Sequence, residues 1–121
     1  MDTSHNILLV DDDRILLESL KEFLERRGFL VTTASSTSEA IGRVLAAQKP
    51  FSVVVVDYQM QDSNGAEATQ AIRALEPDQL IVVYSGSASQ EAVLLPIRSG
   101  ASRYISKSEG PELLAIELKL L

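Results

Sequence analysis

A doubly wound α/β domain with a parallel sheet is the fold class this sequence predicts, on three observations. Short β-branched runs alternate with segments of helical periodicity, the connections between them are short, and the runs are apolar throughout rather than at every second residue. Parallel strands covered on both faces have that continuous apolar character, and such alternation implies right-handed crossovers. Four runs also end in a polar residue of a different kind: Ile7-Leu8-Leu9-Val10 in Asp11-Asp12, Val53 to Val56 in Asp57, Ile81-Val82-Val83-Tyr84 in Ser85, and Tyr104-Ile105-Ser106 in Lys107. Ligands of open α/β sheets gather at the carboxyl ends of the strands. Three carboxylates, a hydroxyl and an ammonium should therefore share one rim, a set that suits a divalent metal and a phosphoryl group.

The elements follow in order. After the first strand, Asp13 can cap a helix whose apolar positions Leu16, Leu20, Phe23 and Leu24 recur at helical spacing, with Gly28 after Arg26-Arg27 as its stop. Phe29 to Thr33 reads as a second strand. Ser36, with Glu39 three residues on, has the form of a capping box ahead of Ile41, Val44 and Leu45, and this second helix should end near Gln48, before Pro50. The third strand, Val53 to Val56, leads into Asp62-Ser63-Asn64-Gly65, a turn composition, before Ala68, Ile72 and Leu75 mark a third helix closed by Pro77.

Leu80 to Tyr84 is the fourth strand, entering Ser85-Gly86-Ser87, and a fourth helix should cover about Ser89 to Arg98. Pro96 inside it removes a backbone hydrogen bond, which predicts a kink or an early end. Gly100 closes that element, Arg103 to Ser106 forms the fifth strand, and Gly110-Pro111 opens the last helix with proline at a tolerated first position. In that helix Leu113, Ile116 and Leu120 form one apolar stripe and Leu114, Leu118 and Leu121 another. One should pack on the sheet, and the other is read as a partner or dimer face.

With 121 residues, 45% of them hydrophobic and 23% charged, the chain has the composition and length of one globular domain, without repeats or linkers. No stretch approaches the ~20 apolar residues of a membrane span, and residues 1–6 carry neither a basic region nor an apolar signal core, so a cytoplasmic protein is expected. The absence of cysteine excludes disulfides and thiolate chemistry, and with one histidine the usual zinc spacings are missing, so a metal must bind through oxygen. A net charge of −6 argues against direct binding of nucleic acid.

Asp13 is read as nothing more than the helix cap. Asp57 differs, because a charge directly after four buried valines is costly without partners. His5, near the terminus, is read as solvated.

An acidic pair after strand one, an aspartate after strand three, Ser after strand four, Lys after strand five and an aromatic three residues before that Lys together resemble the receiver domain of two-component response regulators, over essentially the whole chain. The resemblance implies a flavodoxin-like five-stranded sheet in the order 2-1-3-4-5. It implies that Asp57 is the phosphoacceptor, that Asp11, Asp12 and Asp57 with the backbone carbonyl of Gln59 hold Mg²⁺ (or Mn²⁺), and that Lys107 neutralises the phosphoryl group. Ser85 would be the switch hydroxyl, Tyr104 the aromatic switch, and the backbone at Gly86 a phosphate contact, while Gln59 and Ser87 would flank the path of the hydrolytic water and give the acyl phosphate a moderate lifetime. The implied partners are a histidine kinase or phosphotransfer protein and an output domain or effector reading the surface of helix four, strand five and helix five, with a homodimer as a further use of that surface.

The chemistry is sound on its own terms. A carboxylate can be the nucleophile in phosphoryl transfer, but its charge and that of an anionic donor must be compensated, and Mg²⁺ with a lysine does so. Two positions depart from the family pattern: Gln61 stands where proline commonly follows Met60, and Ser108 where proline often follows the lysine. The second departure, with Glu67-Ala68-Thr69 and Ile72-Arg73, has the flavour of receivers joined to helix-turn-helix domains. A phosphatase using an aspartate nucleophile would want a second aspartate where Gln59 stands, and a flavin carrier would want a phosphate loop where three aspartates stand. A degenerate receiver serving as a scaffold ranks lower, since all five site positions keep suitable chemistry.

Overall fold

The computed structural model describes residues 5–86 and 89–121. Its elements alternate as the periodicity requires: β1 (Asn6–Val10), α1 (Arg14–Glu25), β2 (Leu30–Ala34), α2 (Thr37–Ala46), β3 (Val53–Val56), α3 (Gly65–Leu75), β4 (Ile81–Ser85), α4 (Gln90–Arg98), β5 (Arg103–Ser106), a short 3-10 turn (Lys107–Glu109) and α5 (Pro111–Leu120). The five strands form one parallel sheet in the order β2-β1-β3-β4-β5.

Register decides where the polar strand ends go. Ala34, Val10, Val56, Val83 and Tyr104 are successive partners across the sheet, so Asp11 and Asp57 leave neighbouring strands at the same level. The Asp57 N–H donates to the Val10 carbonyl at 2.9 Å and continues the ladder to the edge of the site.

Both faces are covered. Leu17, Leu20 and Leu24 of α1 and Leu114 and Leu118 of α5 pack with Ile7, Leu9, Val53, Val55 and Ile105 on one face. Ala40 and Val44 of α2, Ala68 and Ile72 of α3 and Ala92 of α4 pack with Leu8, Val10, Val54, Val56 and Val83 on the other. Each fully buried Leu or Ile contributes about 1.5–3 kcal/mol of transfer free energy, which is why apolar-throughout strands sit only in a two-sided core.

Caps set the helix starts. The side chains of Asp13, Ser36, Asn64 and Ser89 accept from the N–H of Leu16, Glu39, Glu67 and Ala92 respectively, satisfying donors that the first turn leaves open. Gly28, at φ +92°, takes the left-handed conformation that ends the segment after α1.

Several boundaries shift from the sequence reading. Phe29 lies in the turn that closes α1 rather than in the second strand, its N–H donating back to the Leu24 carbonyl, and β2 begins at Leu30. In α1 the stripe centres on Leu17, with Leu16 and Phe23 half-buried. Helix α2 ends two residues before Gln48, and Ser85 is the last residue of β4 rather than the first after it. Helix α4 runs two residues past Pro96, whose ring is buried and whose carbonyl accepts from Ala101 N–H at 2.9 Å. In α5 the inner stripe is Leu114 and Leu118, while Ile116 and Leu120 are exposed. No helix of the described residues is long and apolar enough to cross a membrane.

Candidate functional site

The carboxyl edge of the sheet brings together the side chains that end β1, β3, β4 and β5. One oxygen each of Asp11, Asp12 and Asp57 lie within 4.8 Å of one another. Lys107 Nζ donates to Asp11 Oδ2 at 2.7 Å and stands 3.6 Å from Asp57 Oδ2. Ser85 and the main-chain N–H of Tyr58 lie beside the Asp57 carboxylate and favour its charged form.

Asp11 is buried, and its second oxygen accepts the N–H of Asp13 at 2.9 Å. Asp13 thus serves as cap and spacer while its own carboxylate faces out, as the capping reading requires. Asp12 Oδ2 accepts the Gln61 N–H at 3.0 Å. The loop bearing Gln61 is closed on itself: Gln59 bridges to Asn64, Met60 N–H donates to Ser63 O at 3.1 Å and Gly65 N–H to Tyr58 O at 2.6 Å. Gly65 suits the close approach there, since a Cβ would stand 3.0 Å from Tyr58 Cα and 3.2 Å from the Asp57 carbonyl.

Electrostatics follow from the packing. Burial, and after it the charge of Asp11, raises the Asp57 carboxyl above the ordinary carboxylate range, against the lowering influence of Lys107, Ser85 and the Tyr58 N–H. For Lys107 burial favours the neutral amine, but its bond to Asp11 and the charges of Asp57 and Asp11 outweigh that and hold it above its usual value. The cluster is rich in negative charge with one ammonium. Its donors are hard oxygens in a compact group, which fits Mg²⁺ or Mn²⁺ and no soft metal.

Tyr104 lies half-buried against the helix α2–α4 side of the core, with its hydroxyl 3.4 Å from the Ser85 carbonyl. Gly86 is exposed, and a Cβ there would meet nothing within 4 Å. Gln59 is exposed at the rim, and Ser87 lies outside the described residues. Lys107 opens the 3-10 turn, and among the described residues no peptide bond is cis, that to Ser108 included.

Three contributors escaped the sequence reading. Asp62, taken as turn composition, accepts the N–H groups of Thr37 and Ser38 at 3.2 Å each and ties the β3–α3 loop to the start of α2. Tyr58, next to Asp57, is buried and its hydroxyl donates to Glu91 on α4 at 3.3 Å. Arg73 donates to the carbonyls of Pro77 (2.8 Å), Gln79 and Gly100, joining α3 to the entries of β4 and β5. A lone arginine near a helix end followed by Pro was the available signal.

The response regulator receiver domain model matches residues 7–119. The photosynthetic apparatus regulatory protein RegA of Cereibacter sphaeroides is 36% identical over 102 residues, 84% of this chain and 54% of RegA. The chain thus spans about half the length of the curated relatives it matches. A CheY-like receiver domain protein of Methanospirillum hungatei superposes with TM-score 0.88 at 29% identity, covering 98% of this chain and 93% of that one. A response regulator of Burkholderia pseudomallei, solved with a phosphorylated aspartic acid and a calcium ion, gives TM-score 0.81 at 28% identity over 97% of this chain and 72% of its own.

Proposed function

This chain belongs to the response regulator receiver domain family, and we propose that it is a phosphorylation switch in which Asp57 accepts the phosphoryl group. The observation that carries this reading is the position of Lys107, whose ammonium reaches both Asp11 and Asp57 at the rim where three carboxylates meet.

Asp11, Asp12 and Asp57, with the Gln59 carbonyl, would hold Mg²⁺ or Mn²⁺. The bound ion supplies charge compensation for the phosphoryl oxygens. The remaining work falls to the chain. An Asp57 oxygen attacks phosphorus, the bond from phosphorus to the donor's histidine nitrogen breaks, and that nitrogen takes up a proton as it leaves. Lys107, already beside Asp57, pairs with an oxygen of the arriving group, and the backbone of Gly86, which follows Ser85 in sequence, offers that group a further contact. Attack of water on the acyl phosphate restores Asp57. Gln59 and Ser87 set the access of that water and give a lifetime between seconds and many hours.

Ser85 lies beside the Asp57 carboxylate and favours its charged form, so its hydroxyl is suited to follow charge that moves onto a phosphoryl oxygen. Its carbonyl bonds Tyr104, which supports a coupled shift of the two. The surface of α4, β5 and α5 would read that shift. Leu94, Leu95 and Ile97 of α4 and Leu113, Ile116 and Leu120 of α5 are exposed there, suited to an output domain, an effector or a second copy. The donor is a histidine kinase or phosphotransfer protein, and the output is transcriptional control, as the regulatory relatives suggest.

Incubation with acetyl phosphate and Mg²⁺ followed by intact-mass measurement tests the reading. One phosphoryl adduct per chain is expected; turnover of many donor molecules without an adduct would mark a hydrolytic enzyme instead.

A further inference from the structure

Gln61 is the residue at which a proline was to be expected, and the difference has a structural consequence. Proline has no N–H, whereas the Gln61 N–H donates to Asp12 Oδ2 at 3.0 Å. The bond crosses from the β3–α3 loop to the β1–α1 loop, 49 residues apart in sequence.

A carboxylate rotates readily about its last torsion. An N–H bonded to one oxygen stops that rotation and leaves the other oxygen to a cation. The loop that carries the donor is hydrogen-bonded on both sides of Gln61. Asp62 takes the N–H groups of Thr37 and Ser38, the Thr37 and Ser63 hydroxyls share a hydrogen bond, and Gln59 bridges to Asn64. Rigidity anchored on α2 is thereby passed to Asp12.

We propose that the main-chain N–H of Gln61 is a positioning group for the metal site, holding Asp12 toward Asp11 and Asp57 so that the chain binds Mg²⁺ more tightly than it would without that donor. The inference rests on the metal reading given above. Partners of ligating carboxylates commonly change metal affinity tenfold or more when removed. The Gln61 side chain plays no part, since the donor belongs to the backbone.

Calorimetric Mg²⁺ titration of the unphosphorylated protein separates the possibilities. Wild type and Gln61→Ala, which keeps the N–H, should bind alike, and Gln61→Pro should bind about tenfold more weakly. Equal affinity in all three, or an equal loss in Gln61→Ala and Gln61→Pro, overturns the proposal while leaving the metal site standing. Absence of Mg²⁺ binding by wild type overturns both. Amide hydrogen exchange on the wild type covers the case in which proline disrupts the loop: the Gln61 amide should stay protected at saturating Mg²⁺, and rapid exchange there contradicts the proposal.

Discussion

The Tyr104 hydroxyl donates to the main-chain carbonyl of Ser85 across 3.4 Å, so the aromatic of β5 and the end of β4 are tied together beside the Asp57 site. The bond is long and its acceptor is a neutral carbonyl, so its net worth sits at the low end of the usual range. Tyr104→Phe should cost about 0.5 kcal/mol in urea unfolding. Tyr104→Ala, which also removes packing against the core, should cost about 1–2 kcal/mol. Equal costs would mean that the ring contributes nothing beyond its hydroxyl.

Asp57 gives a pH dependence of definite sign. Its folded pKa is raised, by burial first and Asp11 second. Its contribution to stability is therefore fully present below the unfolded carboxyl pKa and lost as pH rises through the folded value. At neutral pH the ionised group costs stability. Asp57→Asn should raise the urea midpoint at about pH 7, and the advantage should fade as pH falls toward the ordinary carboxyl value of about 4. A variant less stable than wild type at neutral pH would show that Lys107 outweighs burial and Asp11.

Two glycines near the site should behave oppositely. Gly65→Ala forces a Cβ to 3.0 Å from Tyr58 Cα and 3.2 Å from the Asp57 carbonyl, contacts with backbone that no side-chain motion relieves. A loss of about 1–3 kcal/mol is expected, with slower phosphorylation because the backbone of Asp57 must move. Gly86→Ala meets open space and should stay within about 0.5 kcal/mol of wild type. Denaturant melts of both variants check the contrast.

Arg73 is a staple remote from the chemistry. Its guanidinium serves the carbonyls of Pro77, Gln79 and Gly100, and Arg73→Met would strip that charged donor from all three while keeping much of the stem packing. A loss of about 2–3 kcal/mol is expected, since bonds to charged groups are worth more than neutral ones. Arg73→Lys should recover only part, because an ammonium lacks the planar fork. Full recovery by lysine would reduce the staple to a point charge.

What the sequence made legible was what period and strand ends encode. Continuous apolar runs identified β1, β3 and β4, and their polar terminal residues identified the site, because parallel register puts Asp11 beside Asp57 once Val10 pairs with Val56. Strand β2 was misplaced by one residue because Phe29 is as apolar as its neighbours, and only its hydrogen bond back to Leu24 places it in the turn after α1. The two stripes of α5 were equally apolar, so which one faces the sheet depended on the orientation of the helix at Gly110, where φ is +86°. Asp62, Tyr58 and Arg73 act through partners on other elements, at sequence separations that local pattern does not reach.

The most direct measurement is chemical trapping of the acyl phosphate. Wild-type protein treated with a small phosphoryl donor and Mg²⁺, reduced with borohydride and mapped by peptide mass spectrometry should show the reduced residue at Asp57, dependent on the metal and absent in Asp57→Asn. Trapping at another carboxylate, or the same yield in Asp57→Asn, would contradict the assignment.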